Sequence, residues 1–155
     1  MTEDINNSIC WIDGKWSHKN EPTIPICDRG VSLGDGIFET ILIYQGVPKL
    51  LQNHINRMHK NASILNMDAP PSMKWIEPLI IDGMRYISLK NTNGRIRLNW
   101  SRGNNYQRGI DIPMHNKLEY TTHRFWLELN AFHCSFTPVK VLVSENEFRN
   151  ASSRI

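Results

Sequence analysis

His54 and Arg57 stand three residues apart in the run His54-Ile55-Asn56-Arg57, a spacing that sets two side chains beside each other on one flank of a helix. An arginine there carries a planar fork of N–H donors that matches the oxygens of a phosphate. Taken alone, the pair is better described as a solvated helix face, because charged residues mostly lie in water. A second group of basic residues sits further along, in Arg95-Ile96-Arg97-Leu98-Asn99-Trp100-Ser101-Arg102 and at Arg108. Phe38 and Tyr44 lie at even separation in the β-rich run Ile37 to Tyr44 and so face one side of a sheet, where they line an apolar pocket or pack in the core.

Several elements must position these groups. Ile9 to Trp16 reads as a strand turning at Asp13-Gly14, which supplies the positive φ of a tight hairpin. Pro22 to Leu33 shows no period and reads as a loop. Ile37 to Tyr44 is a strand, turned by Gln45-Gly46-Val47-Pro48, with Lys49-Leu50-Leu51 beginning a return. From Asn53, a candidate N-cap, Ile55, Met58, Ala62 and Leu65 form one apolar stripe on a helix ending near Asn66. Pro70-Pro71-Ser72 breaks the chain, and Trp75, Leu79, Met84 and Ile87 mark a second helix running to about Lys90, with Gly83 as its weak point.

Arg95 to Ser101 alternates with period two, so Ile96, Leu98 and Trp100 share one face, and Arg95, Arg97, Asn99 and Ser101 the other. Arg102 to Tyr120 is a polar loop longer than most structureless connections. Arg124 to Leu129 and Val139 to Ser144 are further strands, joined by a linker that ends at Pro138. Glu39 follows Phe38 and points to the opposite face, which suggests a structural role in holding the loop around Asp28 and Arg29.

Composition narrows the classes. The 155 residues, 40% hydrophobic and 21% charged, suit a globular protein of one or two modest domains. The acidic, Asn-rich start lacks the features of a signal peptide, and no apolar run nears the roughly 20 residues of a membrane span. A cytoplasmic location and no membrane partner are expected. Cys10, Cys27 and Cys134 form neither a disulfide framework nor a zinc-ligand pattern, so free thiols and no metal are expected. The net charge of +3 comes from scattered basic residues rather than a continuous basic face, which argues against a nucleic-acid partner.

The segments combine into a rarer pattern. Asp28-Arg29-Gly30-Val31-Ser32-Leu33-Gly34-Asp35-Gly36-Ile37-Phe38-Glu39-Thr40 is followed by a Gly-containing hairpin, then by His54-Ile55-Asn56-Arg57, and later by Ser101-Arg102-Gly103 and Gln107-Arg108-Gly109. This order resembles the N-terminal portion of the fold-type IV, or class IV, pyridoxal-phosphate enzymes: the branched-chain and D-amino-acid aminotransferases and the 4-amino-4-deoxychorismate lyases. The spelling around Ser101 to Gly109 is nearer the lyases.

The resemblance implies an α+β fold, a small antiparallel sheet with two helices, plus the first strand of a truncated second domain. Residues 1–129 would form the small domain, 130–138 a linker, and 139–155 the start of the large domain. It implies pyridoxal 5′-phosphate as cofactor, with Arg57 gripping its phosphate and His54 as a signature residue rather than a catalyst. Arg108, often acting on the partner subunit of a homodimer, and Arg97 would meet carboxylates of a small amino-acid or aminodeoxychorismate-like substrate. Phe38 and Tyr44 would line its pocket.

In the family, a run resembling Arg149 to Ile155 shortly precedes the Schiff-base lysine. Lys49, Lys60, Lys74, Lys90, Lys117 and Lys140 all fall outside that motif. The expectation is therefore a transaminase or lyase portion truncated before the catalytic lysine, with no catalytic residue of its own to name. The alternative is a non-catalytic remnant, or a binding module that pairs with an intact relative.

Overall fold

The computed structural model describes residues 8–105, 110–111, 123–131 and 138–143. Six antiparallel strands form one sheet: β1 (Ser8–Ile12), β2 (Lys15–His18), β3 (Gly36–Tyr44), β4 (Val47–Pro48), β5 (Gly94–Ser101) and β6 (Arg124–Ala131), in the order β2-β1-β6-β5-β3-β4. The helices are α1 (Arg29–Ser32), α2 (Leu51–Ile64) and α3 (Met73–Tyr86). This is the α+β small domain that the sequence implies.

Alternation along the strands divides the sheet into two unlike faces. Glu39, Ile41 and Ile43 of β3 point to the side of α2, with Ile96, Leu98 and Trp100 of β5 and Phe125, Leu127 and Leu129 of β6. Helix α2 adds Ile55, Met58 and Ala62 to this core, and α3 adds Ile76 and Ile80. The other face carries Phe38, Thr40, Leu42 and Tyr44, all exposed, beside Arg95 and Arg97. Because β4 pairs with β3 only at Ile43 and Tyr44, the edge of β3 away from β5 carries no strand from Gly36 to Leu42 among the described residues.

The Asp13-Gly14 hairpin forms as expected, with φ of 49° and 91°. Other boundaries differ, each for a local reason. Asn53 is not a cap: α2 begins at Leu51, after Leu50 takes a left-handed φ of 53°. The expected return strand from Lys49 is thereby reduced to Val47–Pro48, and the chain passes directly into the helix. The Pro22 to Leu33 loop contains the single turn α1, nucleated when the Asp28 carboxylate caps Gly30 N at 2.8 Å.

The second helix ends at Tyr86 rather than Lys90, because the chain turns at Ser88, φ 54°, to bury Leu89 in the core. The helix runs unbroken through Gly83. A Cβ there would lie 2.3 Å from Trp16 Cη2, so the missing side chain is the seat of the indole ring. Residues 138–143 are exposed and form no strand, which departs from the expected strand at Val139.

Candidate functional site

Glu39 lies in the middle of β3 with its carboxylate under α2, only 3% exposed. One turn of α2 brings His54 and Arg57 over it. Arg57 Nε donates to Glu39 Oε1 at 2.7 Å, and Arg57 Nη2 donates to Oε2, a two-point charged pair. His54 Nδ1 lies 2.7 Å from the same Oε2. An ionised carboxylate only accepts hydrogen bonds, so Nδ1 carries the proton. The 3.4 Å approach of Arg57 Nη2 to His54 Nδ1 is then a contact between two donors.

Burial raises the pKa of Glu39, but the hydrogen bonds and charges of Arg57 and His54 outweigh it and hold the carboxyl below its ordinary value. The same bonds push the Arg57 guanidinium up, so it keeps its charge. Its side chain is nevertheless 61% exposed. Glu39 occupies the Nε–Nη2 edge, which leaves the Nη1–Nη2 edge without a bonded partner among the described residues. That edge is a free planar fork, the shape that takes two oxygens of a phosphate or carboxylate.

The expectation that Glu39 holds the loop around Asp28 and Arg29 is not met. Strand alternation turns Glu39 to the α2 side, and the loop has its own carboxylates. Asp28, fully buried, accepts from Gly30 N, from Ser101 Oγ at 2.9 Å and from Arg124 Nε at 3.3 Å. Asp35 Oδ2 accepts from Arg29 Nε at 2.6 Å and from Arg102 Nε at 2.9 Å. Burial raises its pKa, but the two arginines prevail and hold it below the usual carboxylate range.

The remaining nitrogens of those arginines reach backbone. Arg102 Nη1 and Nη2 donate to the carbonyls of Asn66 and Leu65, just past the end of α2. Arg29 Nη1 and Nη2 donate to the carbonyls of Asp111 and Ile110. The Asp-Arg-Gly and Gly-Asp-Gly parts of the signature thus form a buried latch that ties the end of α2, the start of β3 and the loop after β5 together. Their acid–base alternation marks charged partners, but only the fold shows which pairs form.

The other candidates divide. Arg97 and Phe38 meet on the open face: the guanidinium carbon lies 3.8 Å from the ring centroid, and Arg97 Nε donates to Asn99 Oδ1 at 3.0 Å. Phe38 is 56% exposed, so it is a platform for Arg97 rather than core packing. Tyr44 shares that face at the far end of β3, six residues away, where Lys49 approaches its ring. The two rings therefore do not converge on one pocket. Arg57 lies on the helix side of the sheet and Arg97 on the open side, both near the part of β3 whose outer edge, away from β5, carries no strand among the described residues. Arg108 lies outside the described residues.

Of the cysteines, Cys10 is buried, and burial pushes its thiol pKa up; Cys27 is half-buried, and both are free. Cys134 lies outside the described residues. Among the described residues, no helix is long and apolar enough to cross a membrane.

Known proteins share this fold. A model of the family described as amino-transferase class IV matches residues 36–152. The bifunctional aminodeoxychorismate lyase / D-amino acid transaminase of Mycobacterium tuberculosis is 27% identical over 95 residues, which are 61% of this chain and 33% of that protein. Among solved structures, the branched-chain amino acid aminotransferase from Escherichia coli superposes with a TM-score of 0.64 at 19% identity, over 81% of this chain and 41% of the other. A hypothetical aminotransferase from Mycobacterium tuberculosis, in its PLP-bound form, gives 0.62 at 21% identity, over 80% of this chain and 40% of that one. The chain spans about a third of the length of the curated relatives it matches. Because the matched span takes in well over half of the sequence, the protein belongs to the amino-transferase class IV family.

Proposed function

We propose that this chain supplies the cofactor-phosphate ligand and part of the substrate site of a pyridoxal-5′-phosphate-dependent transaminase or aminodeoxychorismate lyase, acting as a homodimer in the cytoplasm. The observation that carries this reading is the free guanidinium edge of Arg57, charged and exposed above a buried carboxylate. When bound, pyridoxal phosphate supplies an electron sink for negative charge at the α-carbon of an amino-acid or aminodeoxychorismate-like substrate.

This chain's own residues would bind and orient. Arg57 would hold the phosphate. Arg97, lying on Phe38 and tied to Asn99 through Nε, keeps its Nη atoms for a substrate carboxylate. Tyr44 and Arg108 are the further members of the proposed substrate set. None of these residues moves the proton at the α-carbon, so they contribute binding rather than the chemical step.

The test is direct. The purified chain is titrated with pyridoxal phosphate and the phosphorus NMR signal followed; saturable binding lost in Arg57→Gln supports the reading, and binding indifferent to that change overturns it. A second reading, a non-catalytic module that pairs with an intact relative, is favoured by Val139, Val141, Leu142 and Val143, which are apolar, exposed and outside the sheet. Co-purification with a full-length class IV aminotransferase would support it, and independent migration of the two proteins would remove it.

A further inference from the structure

We propose that Glu39 is the positioning residue of the phosphate site: it holds Arg57 by one edge of the guanidinium and thereby turns the other edge toward the ligand. The inference rests on the reading of Arg57 as the phosphate ligand. An exposed arginine on a helix samples many rotamers, and a ligand that must freeze it binds more weakly. Glu39 removes that freedom beforehand, because its two oxygens engage Nε and Nη2 together.

The carboxylate is itself fixed. It projects from β3 at a position paired with Leu98 of β5, it is buried, and His54 Nδ1 donates to Oε2. His54 and Arg57 come from α2, so a single buried group of the sheet sets the orientation of the cationic side chain of the helix. A carboxylate so close to a cation also acts against anion binding, because it cancels part of the positive charge that a phosphate would meet. Orientation and charge therefore predict opposite consequences for removing Glu39.

That opposition supplies the experiment. Inorganic phosphate and pyridoxal phosphate are each titrated into the full chain at low salt, in wild type, Arg57→Gln, Glu39→Gln and Glu39→Asp, with thermal unfolding recorded for each. Glu39→Gln keeps the volume and removes the charge; Glu39→Asp keeps the charge and withdraws it by one methylene. If Glu39 positions Arg57, both substitutions weaken phosphate binding, by roughly tenfold, the scale of one oriented charge-assisted hydrogen bond. If Glu39 is only a counter-ion, Glu39→Gln strengthens binding and Glu39→Asp leaves it unchanged, and either result overturns the proposal.

Failure of the underlying reading looks different: binding that survives Arg57→Gln, or no saturable binding by wild type, removes Arg57 as the ligand whatever Glu39 does. Should the Glu39 variants fail to fold, the wild-type chain still decides the matter. A slowly exchanging Arg57 Nε–H resonance in nitrogen-15 spectra is the mark of a guanidinium held at that edge, and a rapidly averaged one overturns the proposal.

Discussion

Two arginine clusters in this domain use the same chemistry and end differently. Around Asp35, Arg29 and Arg102 are nearly inaccessible, and every nitrogen of each guanidinium has a protein partner: the carboxylate at Nε and backbone carbonyls at both Nη atoms. Around Glu39, Arg57 uses one edge and leaves the other in solvent. A buried network presents no exposed guanidinium edge to a ligand, so its work is structural. An open one can bind. The difference lies in geometry and burial, since both clusters are built on arginine paired with carboxylate.

The largest break in this comparison should come from Asp35→Ala. It leaves two buried guanidinium groups facing each other without their shared carboxylate, and removal of one partner from such a pair costs about 3–5 kcal/mol. At roughly 2–4 °C per kcal/mol for a chain of this size, a thermal melt followed by circular dichroism should fall by at least about 6 °C. A melt within 2 °C or so of wild type would show that the network is not closed in solution.

The same substitution in each cluster sharpens the contrast. Arg102→Lys cannot reach Asp35 and the carbonyls of Leu65 and Asn66 at once, and should cost about 2–3 kcal/mol in urea unfolding. Arg57→Lys keeps a cation beside Glu39 at an exposed position, and should cost no more than about 1 kcal/mol. Phosphate binding should respond in the reverse order, falling for Arg57→Lys because the planar fork is lost. Equal stability losses in the two variants would erase the distinction drawn between the clusters.

Acid should weaken both clusters. Asp35 and Glu39 have folded pKa values below their ordinary ones, so the unfolded chain takes up protons more readily than the folded one. Their stabilisation is fully present above the ordinary carboxylate range, near pH 4, and is lost as pH falls through that range toward the folded values. Urea midpoints measured from pH 6 downward should decline, and Asp35→Asn should flatten the decline. An identical slope in wild type and variant would assign the acid sensitivity elsewhere.

The smallest effect is expected on the open face. Phe38→Leu removes the ring beneath Arg97 and should change stability by about 0.5–1 kcal/mol, the worth of an exposed cation–π contact. A larger loss, read from the same urea curves, would mean that Phe38 is packed in a core after all.

Much of the fold was legible in the sequence because periodicity reports burial directly. The alternation of Arg95 to Ser101 and the stripe of Ile55, Met58 and Ala62 each assign a face without reference to any distant residue. Boundaries were less legible where a tertiary contact overrides local preference: Leu89 is drawn into the core beyond the end of α3, and Trp16 fills the space that Gly83 leaves. The candidate site was legible in part. Arg57 stood out through its place in a signature, whereas its partner Glu39 was read into the wrong network.

The amino-acid sequence by itself determined the class of this protein and the faces of its strands and helices, and singled out Arg57 as the arginine now proposed for a phosphate. These are properties of order and spacing, carried by neighbours in the chain. Which carboxylate meets which arginine was decided only by the tertiary structure. Glu39 and Arg57 are 18 residues apart, and Asp35 and Arg102 are 67 apart. Charges of opposite sign attract without regard to sequence position, so only the packing of α2 on β3, and of the β5 end against the β3 start, selects the pairs and leaves one guanidinium edge free.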